Sequence, residues 1–430
     1  MKILHLTDSY PPTMGGLEWF VQSLANVQAQ AGHSVTVVST ELDGEEAHSE
    51  ANDVNVIRLP FMLRKLPGAF KSDQRVFFPP VPDPFFERNL SKVMSLDPPD
   101  VVHIHGWILY SALRPARGLG AAVVATAHDY GTVCAIKTLF PEGVVCSGPG
   151  WSKCVKCALG AYGPKGIPIA LSLHLASYRH TQVDEWMAPS SAVAAAGSAV
   201  RPKDRRDMTI VPCFAPDSVL SADPHAARPD FVPQSGPYLF YAGALGIHKG
   251  IDVLLDAHRQ LWNDGCRIPL TIAGIAVPDQ EFDFGQPGVA VARNVPHKEV
   301  MAGWVNAAVG VVPSSWGEPF GQVALECLAA GTPLVVTRVG GLPDVVDHGA
   351  CGLVVEPQDP VQLVRAIRQV LDDPDLAREL GEAGRKRAQM YTSTMVYEKV
   401  SSVFQRAMEH HHANGGARIL QDGAEDREPT

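Results

Sequence analysis

Charge and long apolar stretches are both in short supply in this chain of 430 residues, of which 19 % are charged. The 36 basic residues are outnumbered by 46 acidic ones, and the formal charge of −10 argues against a general nucleic-acid binder. No uninterrupted apolar run reaches the roughly 18 residues of a membrane span. The opening MKILHLTDSYPP lacks the charged region and long apolar core of a signal peptide, so a cytoplasmic location is expected. Acidic metal-binding pairs are scarce too. The one plausible Asp-x-Asp, Asp373 to Asp375, contains Pro374 and falls between two late helical patterns, away from any strand tip. That argues against a metal at a reacting centre.

What the chain does have is short apolar runs alternating with amphipathic ones, twice over. In the first half Lys2 to Leu6, Ser34 to Val38, Val54 to Leu59, Val101 to His105 and Val123 to Ala127 read as strands, several buried on both faces, with a helix over Leu17 to Ala31. In the second half Tyr238 to Ala242, Leu270 to Ala273, Val289 to Ala292, Val309 to Val312 and Leu334 to Val336 read as strands. Helices are expected at Ile251 to Trp262, Lys298 to Asn306, Gly321 to Ala330 and Pro360 to Asp372. The alternation predicts an α/β protein with two doubly wound parallel sheets. The domains read as residues 1–215 and 236–392, joined by the Pro- and Asp-rich stretch from Pro212 to Pro237. A last helical pattern covers Thr394 to Met408. The tail 409–430, with three adjacent His, is expected to be disordered.

Open parallel sheets bind ligands beyond the carboxyl ends of their strands, so two facing sheets make a cleft with two walls. On the second wall, the strand Val309 to Val312 runs into EPFGQVALE, Glu318 to Glu326. The step into a helix at Gly321 leaves unpaired N–H groups, and the positive end of the helix dipole adds to them, favouring a phosphate there. Glu318 in the loop and Glu326 inside the helix cannot clamp one metal together without help. One carboxylate near the reacting end of a phosphorylated ligand and one near its hydroxyl-rich end suits a sugar nucleotide. Glu326 is flanked by Val323, Ala324, Leu325, Cys327 and Leu328, so it should be buried and need a partner. The segment GALGIHKG, Gly243 to Gly250, follows the strand YLFYA and sets Lys249 to meet a diphosphate as a point charge.

On the first wall, Gly15 and Gly16 follow the first strand and permit positive φ angles, letting backbone N–H groups reach a phosphate or sugar oxygen. His128 ends VVATAHDY at a strand tip, where an imidazole accepts a hydrogen bond from a sugar hydroxyl or stabilises leaving-group charge. His103 and His105 alternate along VVHIHGW. One of them should face the core, and His105, nearer the tip, is the acceptor-binding candidate.

The E-x7-E spacing, with Phe and Gly after the first Glu, resembles the signature of family-four retaining glycosyltransferases of the GT-B fold. The order of Lys249-Gly250, AAGTPLV from Ala329 to Val335 and GGLPDVV from Gly340 to Val346 is similar to that family's as well. The resemblance implies two Rossmann-like domains facing a cleft, with the last helix crossing back onto the first. It implies transfer of a sugar from a nucleotide diphosphate sugar, UDP- or GDP-linked foremost, to a hydroxyl acceptor. The reacting centre would then hold His128, Lys249 and Glu318. The donor would meet Gly15, Gly16, Gly243, His248, Pro319, Phe320, Gly321 and Gln322, with its ribose on Glu326 and no cofactor required. The family pattern has Arg directly after the first Gly of GALGIHKG, where this chain has Ala244. Leaving-group charge would therefore fall on Lys249, the helix start and His248 or Arg338. Two other readings stay open: a GT-B phosphorylase or sugar-phosphate synthase, and a non-catalytic sugar-nucleotide-binding subunit.

Four of the eight cysteines, Cys134, Cys146, Cys154 and Cys157, fall within 24 residues rich in Gly, Pro and Lys. In a chain expected to be cytoplasmic, this clustering suggests a structural zinc knuckle, with disulfides and free thiols as the alternatives. Coming after His128, the insertion would shape the rim of the cleft or the acceptor site. The basic and aromatic stretch Arg58 to Phe86 reads equally as a packed connection or as a loop binding an acceptor or making a peripheral membrane contact.

Overall fold

The computed structural model describes residues 1–13, 15–62, 71, 72, 75, 76, 78–199, 207–278 and 280–413. The loop reading over Arg58 to Phe86 rests largely on 63–70, 73, 74 and 77, and most of the tail is 414–430. Both lie outside the described residues.

The strands of the first sheet are β1 (Lys2–Thr7), β2 (Ser34–Thr40), β3 (His48–Ala51) and β4 (Val54–Leu59). A separate hairpin pairs β5 (Lys71–Ser72) with β6 (Arg75–Val76), and the sheet resumes with β7 (Val101–His105), β8 (Ala122–Thr126), β9 (Glu185–Ala188) and β10 (Thr209–Ile210). Around them lie α1 (Gly16–Gln30), α2 (Pro84–Leu96), α3 (Leu109–Gly118), α4 (Trp151–Tyr162), α5 (Gly166–Ala176) and α6 (Ser191–Ser198). After the short α7 (Asp217–Leu220), the second sheet takes β11 (Leu239–Leu245), β12 (Leu270–Ala276), β13 (Val289–Arg293), β14 (Val309–Val312), β15 (Leu334–Thr337) and β16 (Leu353–Val355). Its helices are α8 (Ile251–Asn263), α9 (His297–Asn306), α10 (Gln322–Ala330), α11 (Leu342–Val345), α12 (Pro360–Asp372) and α13 (Pro374–Ala388), and the chain ends on α14 (Ser393–Ala413).

The first sheet runs β10-β9-β8-β7-β1-β2-β4-β3 and the second β13-β12-β11-β14-β15-β16. Within these two sheets all pairings are parallel except β3 with β4. The second order is that of a Rossmann sheet, 3-2-1-4-5-6, and the first contains the same order. Each sheet thus has a switch point, between β1 and β7 and between β11 and β14. Strands such as β7 and β8 are buried along their whole length, as parallel strands covered on both faces must be. The covering helices are amphipathic at a spacing of three and four: α12 buries Leu363, Val364, Ala366, Ile367 and Val370.

One helix joins the core of the opposite half. Val396, Val400, Val403, Phe404 and Ala407 of α14 pack with Phe20, Val21 and Leu24 of α1 and with Val35, Val101 and Val124 of the first sheet. The disorder expected from Glu409 does not hold for 409–413. The helix runs on to Ala413 because Arg117 Nη1 donates to His411 Nδ1 at 3.0 Å and His410 Nδ1 lies 2.8 Å from Glu185 Oε1. Among the described residues, no helix is long and apolar enough to cross a membrane.

Phe404 is 1 % exposed in a core that its own half of the chain does not build. Phe404→Ala should lower stability by about 3–5 kcal/mol, seen as an earlier denaturant midpoint. An unchanged midpoint would show that α14 contributes nothing to the first core.

Candidate active site

The two loops leaving the β11–β14 switch point are pressed together. Gly250 sits at φ +71, where a Cβ would stand 2.0 Å from the carbonyl oxygen of Pro313, so only glycine lets the β11 loop lie against the residues after β14. That contact puts Lys249 Nζ on Glu318 Oε1 as an ion pair. Ser314 Oγ donates to the same carboxylate oxygen at 2.7 Å, and the Trp316 ring lies 5.2 Å from the ammonium. Glu318 is held from behind as well. Gly341 N donates to its carbonyl at 2.7 Å, and Gly340, at φ +54, leaves no room for a Cβ against the same backbone.

Helix α10 starts after Gly321 at φ +109 with no side-chain cap, so its first N–H groups remain available to a ligand. Phe320 is buried against Tyr391, 5.6 Å between rings. Glu326 is buried in the same helix and takes a hydrogen bond from His297 Nε2 at 3.0 Å, which raises the pKa of that imidazole. His248 packs edge-on against Trp316, and burial, then Lys249, lowers its pKa. Arg338 is paired with Glu356 at 2.8 Å. Ser314 and His297 carry no motif of their own; only the fold shows them.

The first wall departs from expectation at its glycines. Gly15 is extended, φ −175, and acts as the N-cap of α1, with Trp19 N donating to its carbonyl at 3.0 Å. Neither Gly15 nor Gly16 has a positive φ. What Gly16 supplies is space, since a Cβ there would meet nothing within 4 Å.

His105 also departs. It is 0 % exposed, as is His103, because residues two apart on a strand share a face. Both lie on the side of the sheet covered by α1 and α14, where Phe404 meets His103 at 5.3 Å and Phe20 meets His105 at 6.3 Å. His105 therefore does not reach an acceptor. It links to His128 instead, closing a line of rings that runs from buried His5 on β1 through buried His105 on β7 to half-buried His128 just past β8. Burial holds the pKa of His5 down to about 4 and that of His128 to about 3, and pushes His103 and His105 well below the ordinary value. All four are neutral near pH 7, so each ring carries one N–H. Gln28 presents its Oε1 to His5 Nε2 at 2.6 Å, and an amide oxygen only accepts. His5 Nδ1 must then accept from His105 Nε2 at 3.1 Å, and His105 Nδ1 from His128 Nε2 at 2.8 Å. His128 is left with a lone pair on Nδ1. Beside the line, His103 Nε2 meets Thr126 Oγ1 at 2.7 Å, while His103 Nδ1 and Gln28 Nε2 are buried without a partner among the described residues.

Among the described residues, His5, His103 and His105 form the one group with three metal-binding atoms within 4.8 Å of one another. Neutral imidazoles can hold a metal, but two of these are already bonded to each other.

Next to His128, Asp8 at the tip of β1 accepts from Trp107 N at 3.0 Å and Ile108 N at 2.7 Å, capping the start of α3. Burial raises its pKa against the pull of Lys137, whose Nζ lies 3.8 Å away and 4.3 Å above the Trp107 ring. The walls meet where Ser191 N and Oγ donate to Asp344 at 2.6 and 2.8 Å, and where Tyr130 Oη approaches Gly317. Burial, then Glu318, raises the Tyr130 hydroxyl to about 12.

Two parallel Rossmann-like sheets with a cleft at their switch points define a GT-B protein, and solved structures agree. Sucrose-phosphate synthase from Thermosynechococcus elongatus superposes with a TM-score of 0.70 at 20 % identity, over 94 % of this chain and 99 % of that one. WaaG, a glycosyltransferase involved in lipopolysaccharide biosynthesis, gives 0.62 at 18 % identity over 93 % and 99 %. The family described as "Glycosyltransferase Family 4" matches residues 14–218, and "Glycosyl transferases group 1" matches 226–387. Glycogen synthase of Mycobacterium tuberculosis is 29 % identical over 90 % of both chains. The D-inositol 3-phosphate glycosyltransferase of Corynebacterium diphtheriae is 39 % identical over 40 % of this chain and 43 % of its own. The chain belongs to the family-four, group 1 glycosyltransferases, and is an enzyme of that kind.

The buried imidazoles set a pH limit on the fold. Their folded pKa values lie below the unfolded value near 6.5, so their contribution is complete above that pH and is lost on acidification toward about 4 for His5 and about 3 for His128. Each costs about 1.4 kcal/mol per pH unit in that window. Melting temperature should fall steeply from pH 7 to pH 5 in calorimetry, with a shallower slope for His105→Gln. A melting temperature flat across that range would contradict the burial.

Proposed function

We propose that the enzyme takes its sugar from a nucleoside diphosphate sugar, UDP- or GDP-linked, and passes it to a hydroxyl acceptor with retention at the anomeric carbon. The observation that carries this reading is the Lys249–Glu318 pair beside the uncapped start of α10. A cation, open N–H groups and a helix's positive end converge there, as a diphosphate requires. Glu326, held by His297, offers carboxylate oxygens to ribose hydroxyls, as acidic residues do in nucleotide-binding Rossmann folds. Relatives in fold support the donor class. A trehalose-6-phosphate protein of E. coli is described bound with UDP-2-fluoro glucose, and the HepE protein of Anabaena with UDP and glucose.

Transfer proceeds on one face of the sugar. The acceptor oxygen bonds to the anomeric carbon on the side from which the phosphate oxygen departs, and the hydroxyl proton passes to that phosphate oxygen. Lys249 and the α10 N-terminus stabilise the developing charge, with no metal required. Ala244 leaves the second wall without a guanidinium in the β11 loop, which concentrates that task on Lys249. His128, with its lone pair on Nδ1, accepts a hydrogen bond from a sugar hydroxyl, and closure of the walls around Tyr130 and Gly317 keeps water from the sugar.

Against a panel of UDP-, GDP-, dTDP- and ADP-sugars, nucleoside diphosphate release should appear with at least one. Lys249→Ala should reduce that rate about 10²–10³-fold with the fold intact by circular dichroism, and with a lowered melting temperature because buried Glu318 loses its counter-charge. A panel with no binding by thermal shift, or a Lys249→Ala enzyme at full rate, would sink the reading. Glu326→Ala should weaken nucleoside diphosphate binding by about 1.5–3 kcal/mol in calorimetric titration; unchanged affinity would remove the ribose from that carboxylate.

A further inference from the structure

Glycosyl transfer leaves unexplained the segment between Tyr130 and α5. All four clustered thiols, Cys134, Cys146, Cys154 and Cys157, line one small cavity of about 30 Å³, whose remaining wall is mostly apolar. No disulfide joins them. Two come from loops, and two from successive turns on one side of α4.

The backbone around these sulfurs is shaped to them. Around Cys134 the loop holds Lys137 at φ +63 and Leu139 at φ +52, a left-handed region that non-glycine residues seldom enter, and Lys137 N donates to the Cys134 carbonyl at 3.0 Å. Strain of this kind persists where the surroundings over-determine it. Gly150 N donates to Cys154 Sγ at 3.3 Å, and Cys146 N donates to the carbonyl of Leu139 at 2.8 Å, tying the two loops together. The thiolate is the form of each cysteine that ligates metal.

The local charge suits an anionic centre. From Tyr130 to Val183 the chain carries Lys137, Lys153, Lys156, Lys165 and Arg179 against a single acidic residue, Glu142, in a protein whose formal charge is −10. Four thiolates around one divalent ion, or around an iron–sulfur cluster, leave a net negative charge that these cations offset.

We propose that Cys134, Cys146, Cys154 and Cys157 hold a thiolate-bound metal centre that fixes the loop beneath the first wall of the cleft. Binding converts four thiols to thiolates and releases their four protons. Two centres share this ligand chemistry: one zinc ion, whose tetrahedral edge is about 3.8 Å between sulfurs, or an iron–sulfur cluster with its wider spacing. No three of the four sulfurs gather within 4.8 Å among the described residues, so a zinc ion would draw them inward. Either centre orders the loop that carries Lys137 to Asp8 and Trp107. The metal would thus set one wall of the space in front of His128.

The test uses the full chain, expressed with zinc and iron in the medium and purified without oxygen. Elemental analysis should give about one zinc per chain, or several irons with matching acid-labile sulfide and visible absorption; the two results separate the ion from the cluster and both support the site. The double variant Cys154→Ser, Cys157→Ser should lose the metal. Cys213→Ser, a control outside the cluster, should keep it. Chelation of the native chain should lower its melting temperature and raise the number of thiols that react with a thiol reagent. Metal-free protein with all four thiols reactive, or with thiols missing as disulfides, overturns the proposal. So does metal retained by the double variant, which would move it to His5, His103 and His105.

Discussion

The second half is organised around the contact between the β11 and β14 loops, and that contact exists because Gly250 has no side chain to keep Pro313 away. From it follow the ion pair of Lys249 with Glu318, the anchoring of the carboxylate by Ser314 and the approach of Gly340 and Gly341 behind it. A half-buried ammonium is costly without a counter-charge, so Glu318 keeps Lys249 in place while the site is empty. Under the proposed reading, a diphosphate arriving at the start of α10 brings its own negative charge and takes over part of that role, so that rearrangement of the pair would be part of binding.

Helix α14 couples this half to the other. Its apolar stripe completes the core over β1, β7 and β8, the strands that carry the line of imidazoles. Inside that core three of the rings, His5, His105 and His128, satisfy one another in sequence from Gln28 onward, while Gln28 Nε2 and His103 Nδ1 find no partner among the described residues. One helix from the end of the chain therefore seals the polar seam that positions a residue at the cleft.

Fold class was legible because parallel strands buried on both faces read as apolar runs, and EPFGQVALE announced a strand running into a helix start. The partners of those residues were not. Ser314 and His297 reach Glu318 and Glu326 only through the order of strands around the second switch point. His105 was misplaced by treating residues two apart as facing opposite ways, and even with that period right, its tie to His128 depends on the alignment of β7 with β8. The glycines at 15 and 16 marked the correct turn, yet their backbone is extended or helical rather than left-handed. The last turn of α14 escaped notice because three His followed by Gly, Asp and Glu read as a disordered polar tail on composition alone, while Arg117, Asp184 and Glu185 give the His a seat.

The line of rings also has a polarity, and its origin is a single carboxamide far from the sugar. With its oxygen inward, Gln28 obliges every N–H along the row to point the same way. Rotate that amide by half a turn and each imidazole must swap tautomer in concert, so the last nitrogen changes from taking a proton to offering one. If His128 meets the sugar as proposed, discrimination between a hydroxyl and a carbonyl or ether at that spot is written in the interior, and evolution could reverse it without touching His128 itself.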